Sequence, residues 1–202
     1  LVRCCRWFNL PFKRFARVVL GAPDLRLNFL SIWPLRPLEA LFNKSAEQLL
    51  WNHTAFPYAT AFLAGESFEQ ARSAALDGGL GMPRLLAAMQ NVSGELTYRR
   101  YCPHCLQESV ATNGETYWER SHNLPGVFIC VRHPCALSVT SLPASSSLKT
   151  IYELPIECME CPATEREFQP SKALLALARS SVELLGRQAG PGESRSSDWY
   201  RE

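Results

Sequence analysis

Apolar side chains recur at every third or fourth position in two stretches of the chain, one near its start and one near its end. Residues 11–21 show this spacing and finish at Gly21, and residues 171–187 show it after Ser171. The spacing matches one face of an α-helix, and a serine before the first turn can accept a hydrogen bond from a free backbone N–H. Two amphipathic helices are therefore predicted.

A capping pattern predicts a third helix between these two. Ser45 and Gln48 have the spacing of a capping box, in which each side chain satisfies a backbone N–H group of the other residue. The helix should end near Thr54, because Pro57 disfavours helical backbone in the residue before it.

Two more helices are predicted further along the chain. Ser67 and Gln70 form a second capping-box pattern, and the helix that they open should end at Gly78. Residues 82–91 contain a proline near their start, a position that suits the first turn of a helix.

The segment from residue 98 to residue 165 has a different pattern. Residues 115–119 and 126–130 are short stretches typical of strands, and the serine-rich residues 138–150 indicate a loop. The fold predicted from the whole pattern is mainly α with a small embedded β/loop module. We predict a helical part over 1–97, the module over 98–165, a helix over 166–188, and a linker with the start of a truncated next element over 189–202.

The composition is that of an ordinary globular protein. Of the 202 residues, 47% are apolar and 20% are charged. No run of about 18 uncharged apolar residues occurs, so no membrane span is predicted. Because the chain opens on Leu1 rather than Met, we expect a fragment of a longer protein.

Basic residues are concentrated at the start of the chain. Residues 1–36 contain seven arginines and lysines against Asp24 alone, although the net charge of the chain is only +2. This asymmetry favours an anionic partner, nucleic acid first, and Lys13, Arg14 and Arg17 are candidates for contacts with DNA phosphates. A solvated helix face is the alternative.

Four of the eight cysteines lie between residues 102 and 135. Cys102 and Cys105 form a Cys-x-x-Cys pair, and Cys130 and His133 form a Cys-x-x-His pair after 24 intervening residues. Zinc prefers four tetrahedral thiolate and imidazole ligands, and two residues between ligands let a tight turn present both to one ion. A zinc knuckle with three cysteines and one histidine is predicted.

A redox dithiol and a disulfide framework are the alternative uses of these cysteines. A redox dithiol needs a strand before the pair and a helix after it, and a disulfide framework is typical of small secreted proteins. The second ligand pair argues against both, and the clustered cysteines fit a reducing, cytoplasmic compartment. His104 is predicted to face solvent in its turn, and His122 to pack or to bond to the backbone.

A second zinc site is left open by the sequence. Cys135, Cys158 and Cys161 supply three thiols, and the fourth ligand would have to come from Cys4 or Cys5 through a long-range contact that the sequence does not show. Reduced, buried thiols are an equal alternative.

No catalytic motif accompanies the cysteines. Four protein ligands would leave no open position on the metal for substrate, and the nearby acidic residues are scattered. A structural site is therefore predicted, and a zinc or thiol enzyme is only a distant alternative.

Two motifs stand out around and before the cysteines. The first comprises Arg100, Tyr101, Cys102, Pro103, Cys105, Gly114, Glu115, Tyr117, Trp118, Leu124, Pro125, Gly126, Cys130, His133 and Leu137, and the second is a His-Thr-x-Phe-Pro stretch upstream at His53, Thr54, Phe56 and Pro57, with Phe62 beyond it. The first resembles the zinc-binding core of the TniQ/TnsD family, and the second resembles another motif of the same family. Members of that family select targets for transposons.

The resemblance implies a function that composition does not. It implies a zinc-stabilised DNA-targeting adaptor, without enzymatic activity, in the bacterial cytoplasm and associated with the nucleoid. The implied partners are double-stranded DNA, an AAA+ ATPase that regulates transposition, and the transposase complex, with no membrane and no small-molecule substrate. The alternative is a protein-interaction remnant that docks the ATPase without binding DNA.

Four arginines near the predicted zinc ligands are further candidates for contacts with the DNA backbone. They are Arg99, Arg100, Arg120 and Arg132. Such contacts would bind DNA in a salt-dependent way without reading bases. Ion pairs with acidic neighbours such as Glu115 and Glu119 are the alternative.

Overall fold

Helices predominate in the computed structural model, which describes residues 2–23, 26–28, 31–63, 65–78, 98–143, 154–155 and 171–186. The helices are α1 (Val2–Trp7), α2 (Phe12–Val18), α3 (Glu39–Phe42), α4 (Ala46–His53), α5 (Phe56–Ala59), α6 (Gly65–Asp77), α7 (Pro103–Asn113) and α8 (Lys172–Gly186), with 3₁₀ turns at Arg36–Leu38 and Arg120–Asn123. The strands are β1 (Arg26–Asn28), β2 (Ser31–Trp33), β3 (Tyr98–Tyr101) and β4 (Ser138–Pro143). β1 pairs with β2 and β3 with β4, both antiparallel. The prediction of a mainly helical protein with a small β component is confirmed.

The capping box of α4 is present as predicted. The Ser45 hydroxyl accepts from the backbone N–H of Gln48, and the Gln48 side chain accepts from the backbone N–H of Ser45. The helix ends at His53, and Thr54 is its extended C-cap. Local signals are sufficient here, because all of the bonding groups lie within one turn.

The second predicted capping box is wrong. Helix α6 begins at Gly65, so Ser67 lies inside its first turn rather than at its N-cap. Gln70 instead donates from Nε2 to Oε1 of Glu66 at 2.8 Å, one turn earlier. The end of α6 is as predicted, since Gly78 has a φ of +83°, a conformation that favours glycine. The helix predicted over 82–91 lies outside the described residues.

The strands predicted in the module are misplaced. Residues 115–119 form no strand, and within 126–130 only Ile129 makes a β-bridge, to Ala136. The sheet is built by β3 and by β4, which begins where a loop was predicted. Side chains of β4 are alternately buried and exposed from Ser138 to Leu142. Its inward positions include serine and threonine, which hid this pattern in the sequence.

The module shares its core with the helices. One apolar cluster contains completely buried residues from both parts. They are Phe15 of α2, Leu50 of α4, Ala178 of α8, and Leu124 in the loop after α7. The boundary at residues 97/98 stays a prediction, but the described residues on either side of it pack together. Among those residues no helix has the length and apolar character needed to cross a membrane.

Hydrogen bonds connect the loop after α7 to the helices. The Arg120 guanidinium donates to the carbonyl oxygens of Trp51 at 2.8 Å and Thr54 at 2.5 Å, which lie at the end of α4. The Tyr58 hydroxyl of α5 donates to the carbonyl of Pro125 at 3.2 Å. These bonds satisfy backbone carbonyls at the end of a helix, and they fix the loop that lies between the two predicted ligand pairs.

Candidate metal centre

The first predicted ligand pair lies where β3 ends and α7 begins. Cys102 is the extended N-cap of α7, Pro103 begins its first turn, and Cys105 lies two residues further along that turn. Proline suits this position because its missing N–H would have no helical partner there. Cys105 is thus the third residue of the helix, and both sulfurs lie at the positive end of the helix dipole, where a thiolate is stabilised.

The second pair lies in a tight hairpin. The backbone N–H of Cys130 donates to the carbonyl of Cys135 at 2.9 Å, and Ile129 bridges to Ala136. At the tip of the hairpin the backbone N–H of His133 points at Sγ of Cys130, 3.5 Å away. Such an N–H···S contact stabilises a thiolate, as expected for a knuckle.

The structure brings all four predicted ligands together. Four potential ligand atoms lie within 4.8 Å of one another. They are Sγ of Cys102, Cys105 and Cys130, and a ring nitrogen of His133. Sγ of Cys105 is 3.5 Å from Sγ of Cys130. Nδ1 of His133 is 3.3 Å from Sγ of Cys105, 3.7 Å from Sγ of Cys102 and 4.0 Å from Sγ of Cys130.

These spacings fit one tetrahedral ion. With Zn–S bonds of about 2.3 Å and a Zn–N bond of about 2.0 Å, the tetrahedral edges are about 3.8 Å between two sulfurs and about 3.6 Å between sulfur and nitrogen. The measured distances scatter around these values. The three cysteines are buried, and the soft donor set favours zinc among common divalent ions. The cluster could therefore hold a metal ion.

Glu108 orients the histidine of the cluster. Its Oε1 lies 2.8 Å from Nε2 of His133, on the ring side opposite the sulfurs. A proton on Nε2 leaves Nδ1 free to coordinate, and a carboxylate partner increases the basicity of a ligating imidazole. Burial alone would lower the pKa of His133, but the hydrogen bonds to Glu108 and Cys130 raise it above its ordinary value.

Replacing Glu108 by glutamine is expected to weaken metal binding by roughly 10- to 100-fold, because the orienting carboxylate is lost while the four ligands remain. The measurement is a competition titration against a chromophoric zinc chelator. Glu66→Gln is the matched control, since Glu66 is an exposed glutamate on α6 whose carboxylate accepts from Gln70 of the same helix. Equal zinc affinities of the two variants would contradict the role of Glu108.

The thiols of the cluster shift one another's pKa values. The hydrogen bond to Cys130 and burial raise the pKa of Cys102. Burial and the contact with Cys130 raise the pKa of Cys105 to about 11. The sulfur of Cys130 accepts hydrogen bonds from Cys102 and His122, which lower its pKa to about 2. A metal ion must therefore displace protons from Cys102 and Cys105, so its affinity should fall as the pH falls.

The arrangement around Cys102 has one feature of a redox site. A strand precedes the Cys102/Cys105 pair and a helix follows it, which is the order that a redox dithiol needs. This helix, α7, was not predicted from the sequence. Its signals were Pro103 in the first turn and Gly114 at the C-cap, where φ is +72°. The neighbours of the sulfurs distinguish the two uses, because Cys105 lies against Cys130 and His133 as a metal site requires.

Cys135 lies beside the predicted site rather than apart from it. Its sulfur is 3.6 Å from Sγ of Cys102, and its side chain is half-buried against the core. It is not a member of the group of four atoms that are all mutually close. Cys158 and Cys161, its predicted partners in a second zinc site, lie outside the described residues.

Two of the predicted DNA contacts are excluded by burial in this conformation. Arg99 is completely buried, with its guanidinium carbon 5.4 Å from the centre of the Trp118 ring. Arg100 is 3% exposed, donates to the carbonyl of Val127, and lies 4.5 Å from the ring centre of Phe128. Both arginines hold the β3 segment in the core, so DNA phosphates cannot reach their side chains.

The other two arginines of the module are also engaged. Arg120 bonds to the end of α4, and burial lowers its pKa. Arg132 is half-exposed and forms ion pairs with Glu119 at 2.5 Å and Glu108 at 3.6 Å. For Arg132 the predicted alternative, a pairing with Glu119, is what the structure shows.

The basic residues of α2 are accessible. Lys13, Arg14 and Arg17 are exposed, while Phe12 and Phe15 on the other side of the helix are buried. None of the three basic side chains forms an ion pair within the part of the chain that the structure describes. This helix therefore offers a basic surface that the module does not.

Sequence reasoning missed three residues beside the cluster, namely Glu108, Glu119 and His122. His122 was predicted to pack or to bond to the backbone, but its Nε2 lies 3.8 Å from Sγ of Cys105 and 3.6 Å from Oε2 of Glu119. His122 is buried, whereas His104 is exposed as predicted. Spacing could not reveal this group, because the 3₁₀ turn at Arg120–Asn123 is what directs His122 toward the cysteines.

Comparison with known proteins identifies the family. The transposon Tn7 transposition protein TnsD from Escherichia coli is 29% identical over 91 residues, which cover 44% of this chain and 18% of TnsD. The chain thus spans less than a fifth of that relative. The TniQ family profile matches residues 1–137, more than half of the chain and all four residues of the cluster. The chain belongs to the TniQ family.

Proposed function

We propose that this chain is part of an adaptor that selects target DNA for a transposition system. The observation that carries the proposal is the match of residues 1–137 to the TniQ family, supported by the similarity to a protein named for Tn7 transposition. The proposed partners are double-stranded DNA, an AAA+ regulator ATPase and the transposase complex. The proposed location is the bacterial cytoplasm, in association with the nucleoid.

Zinc serves as a scaffold in this proposal. Cys102, Cys105, Cys130 and His133 supply four ligands, which closes the coordination sphere and leaves no position for a substrate. The ion cross-links the start of α7 to the hairpin at residues 129–136. Through Arg120 and Tyr58, the loop between the ligand pairs is also fixed to α4 and α5. The adaptor is accordingly proposed to have no enzymatic activity of its own.

The basic face of α2 is proposed to contact the DNA backbone. Lys13, Arg14 and Arg17 lie within five consecutive positions, so one helix face can present all three to neighbouring phosphates. Such contacts release counterions and make binding depend on salt, without specifying a sequence.

Replacing Lys13, Arg14 and Arg17 together by alanine is expected to weaken binding to duplex DNA and to flatten its salt dependence. Three lost phosphate contacts reduce the slope of log K against log salt by about 2.7. The measurement is fluorescence anisotropy with a labelled duplex across a salt series. The control is the double change Lys172→Ala and Arg179→Ala, which removes exposed cations from α8 and should leave the slope unchanged.

The same experiment tests the alternative function. Absence of binding by the unaltered chain at low salt would contradict DNA targeting by this part of the protein. The interaction module that docks only the ATPase would then be favoured, and Trp7, which is 86% exposed beside Phe8, supplies an apolar surface for it.

A further inference from the structure

A second group of potential metal ligands shares Cys105 with the first. Sγ of Cys105, a ring nitrogen of His122 and a carboxylate oxygen of Glu119 all lie within 4.8 Å of one another. Nε2 of His122 is 3.8 Å from the sulfur and 3.6 Å from Oε2 of Glu119. His122 is 4% exposed and Cys105 is equally buried, so the group lies inside the protein.

These distances also fit a tetrahedral ion. With bonds of about 2.3 Å to sulfur and about 2.0–2.1 Å to nitrogen and oxygen, the ideal edges are about 3.6 Å between sulfur and nitrogen and about 3.4 Å between nitrogen and oxygen. Both measured spacings lie within about 0.2 Å of these edges. A direct hydrogen bond from His122 to Glu119 would be shorter, at about 2.8 Å.

We propose that Cys105 is a bridging thiolate that joins two zinc ions. The first ion is bound by Cys102, Cys105, Cys130 and His133, and this inference rests on that proposed site. The second ion is bound by Cys105, Glu119 and His122, and it keeps a fourth position for water.

A small cavity lies where the fourth ligand would be. It has a volume of about 10 Å³ and is lined by all three residues of the second group, together with Tyr101, Ser109 and Tyr117 among others. This volume is roughly the smallest that holds one water molecule. The polar groups of Ser109 and the tyrosines can hydrogen-bond to such a water.

The surroundings of Glu119 position one of its oxygens for a metal. Arg132 donates to Oε1 at 2.5 Å, so Oε2 is the oxygen left to face His122. Ser121 donates to Oε2 at 3.4 Å, on the same carboxylate. A carboxylate that binds a metal through one oxygen and is hydrogen-bonded by its neighbours is a common arrangement around metal sites.

Two ions balance the charge of the cluster. Three thiolates and the carboxylates of Glu119 and Glu108 carry five negative charges, of which the Arg132 guanidinium compensates one, and a single divalent ion leaves two of the others uncompensated in a mostly buried site. A second divalent ion brings the sum to zero, which removes the cost of burying net charge. The two histidines bind as neutral rings and do not change this sum.

The proposal is tested by metal stoichiometry. The chain is equilibrated with excess zinc, freed of loosely bound metal by gel filtration, and analysed for zinc per chain by mass spectrometry. We expect two zinc ions in the unaltered protein and one in His122→Ala or in Glu119→Gln. His104→Ala is the matched control, because this exposed histidine belongs to neither group, and it should retain two ions. Circular dichroism establishes that each variant is folded.

Cadmium NMR of the protein loaded with cadmium distinguishes a bridge from two separate sites. A shared thiolate predicts two resonances with scalar coupling between them, and His122→Ala should retain only the resonance of the sulfur-rich site. One ion in both the unaltered protein and His122→Ala would overturn the bridging proposal and leave the first site intact. In that case His122 would act only as a hydrogen-bond donor to Cys105. Absence of any bound ion would overturn the first site and this inference together.

Discussion

Replacing Cys130 by serine is expected to abolish tight zinc binding and to unfold the segment that surrounds the cluster. Cys130 contacts two of the other predicted ligands and lies at the base of the hairpin, so its replacement removes one ligand and the link between the hairpin and α7. Zinc binding contributes on the order of 10 kcal/mol to the folding of small zinc modules, as much as the whole stability of a typical domain. The measurements are zinc content after gel filtration and the thermal unfolding curve followed by circular dichroism.

Cys135→Ser is the control for this prediction. Cys135 lies five residues further along the same hairpin, and its sulfur is also close to the cluster, 3.6 Å from Cys102. Because it is not one of the four mutually close ligands, its removal should change neither the zinc content nor the unfolding temperature appreciably. If Cys135→Ser lost zinc while Cys130→Ser kept it, the assignment of the ligands would be wrong.

Replacing Asn123 by alanine is expected to destabilise the protein by about 2–5 kcal/mol, because buried polar groups that lose their partners cost about 1–3 kcal/mol each. Asn123 is completely buried. Its Oδ1 accepts from the backbone N–H of Arg100 at 2.8 Å, and its Nδ2 donates to the carbonyls of Arg100 and Glu119, each at 3.0 Å. Alanine would leave all three backbone groups without these bonds. Urea unfolding measures the loss.

Asn52→Ala is the comparison for Asn123. Asn52 is an exposed asparagine of α4, and alanine has the higher helix propensity there. Its change should alter the free energy of unfolding by less than about 0.5 kcal/mol. Equal effects of the two substitutions would show that the bonds of Asn123 do not hold β3 to the loop after α7.

The predictions from sequence succeeded where the determining groups are close along the chain. The capping box of α4 and the Ser171 cap of α8 each depend on groups within one helical turn. The four residues that the structure brings together were grouped from their spacing alone, since each pair spans a single tight turn. The resemblance to the TniQ family, which the comparisons confirm, was a separate inference from the residues around the pairs.

The predictions failed where the structure depends on contacts between residues that are far apart along the chain. β3 pairs with β4 about 40 positions away, and neither strand has a strongly apolar sequence. Arg99 and Arg100 look like surface residues in the sequence, yet the aromatic rings of Trp118 and Phe128 cover them in the fold. The proximity of His122 to Cys105 likewise depends on tertiary structure.

The His-Thr-x-Phe-Pro motif shows how a family motif can serve the fold. Thr54 is buried, donates to the carbonyl of Leu50 at 2.6 Å and accepts from the backbone N–H of Phe56 at 3.0 Å. One hydroxyl therefore satisfies both the end of α4 and the start of α5. The carbonyl of Thr54 also accepts from Arg120, so the motif holds the loop that lies between the two predicted ligand pairs.

X-ray absorption at the zinc edge tests the central claim most directly. Protein loaded with one equivalent of zinc should show a shell of three sulfurs at about 2.3 Å and one nitrogen at about 2.0 Å, with the outer scattering of a single imidazole. That shell corresponds to Cys102, Cys105, Cys130 and His133. A shell of four sulfurs would place Cys135 in the site instead of His133, and a shell of light atoms alone would contradict a cysteine-bound metal centre.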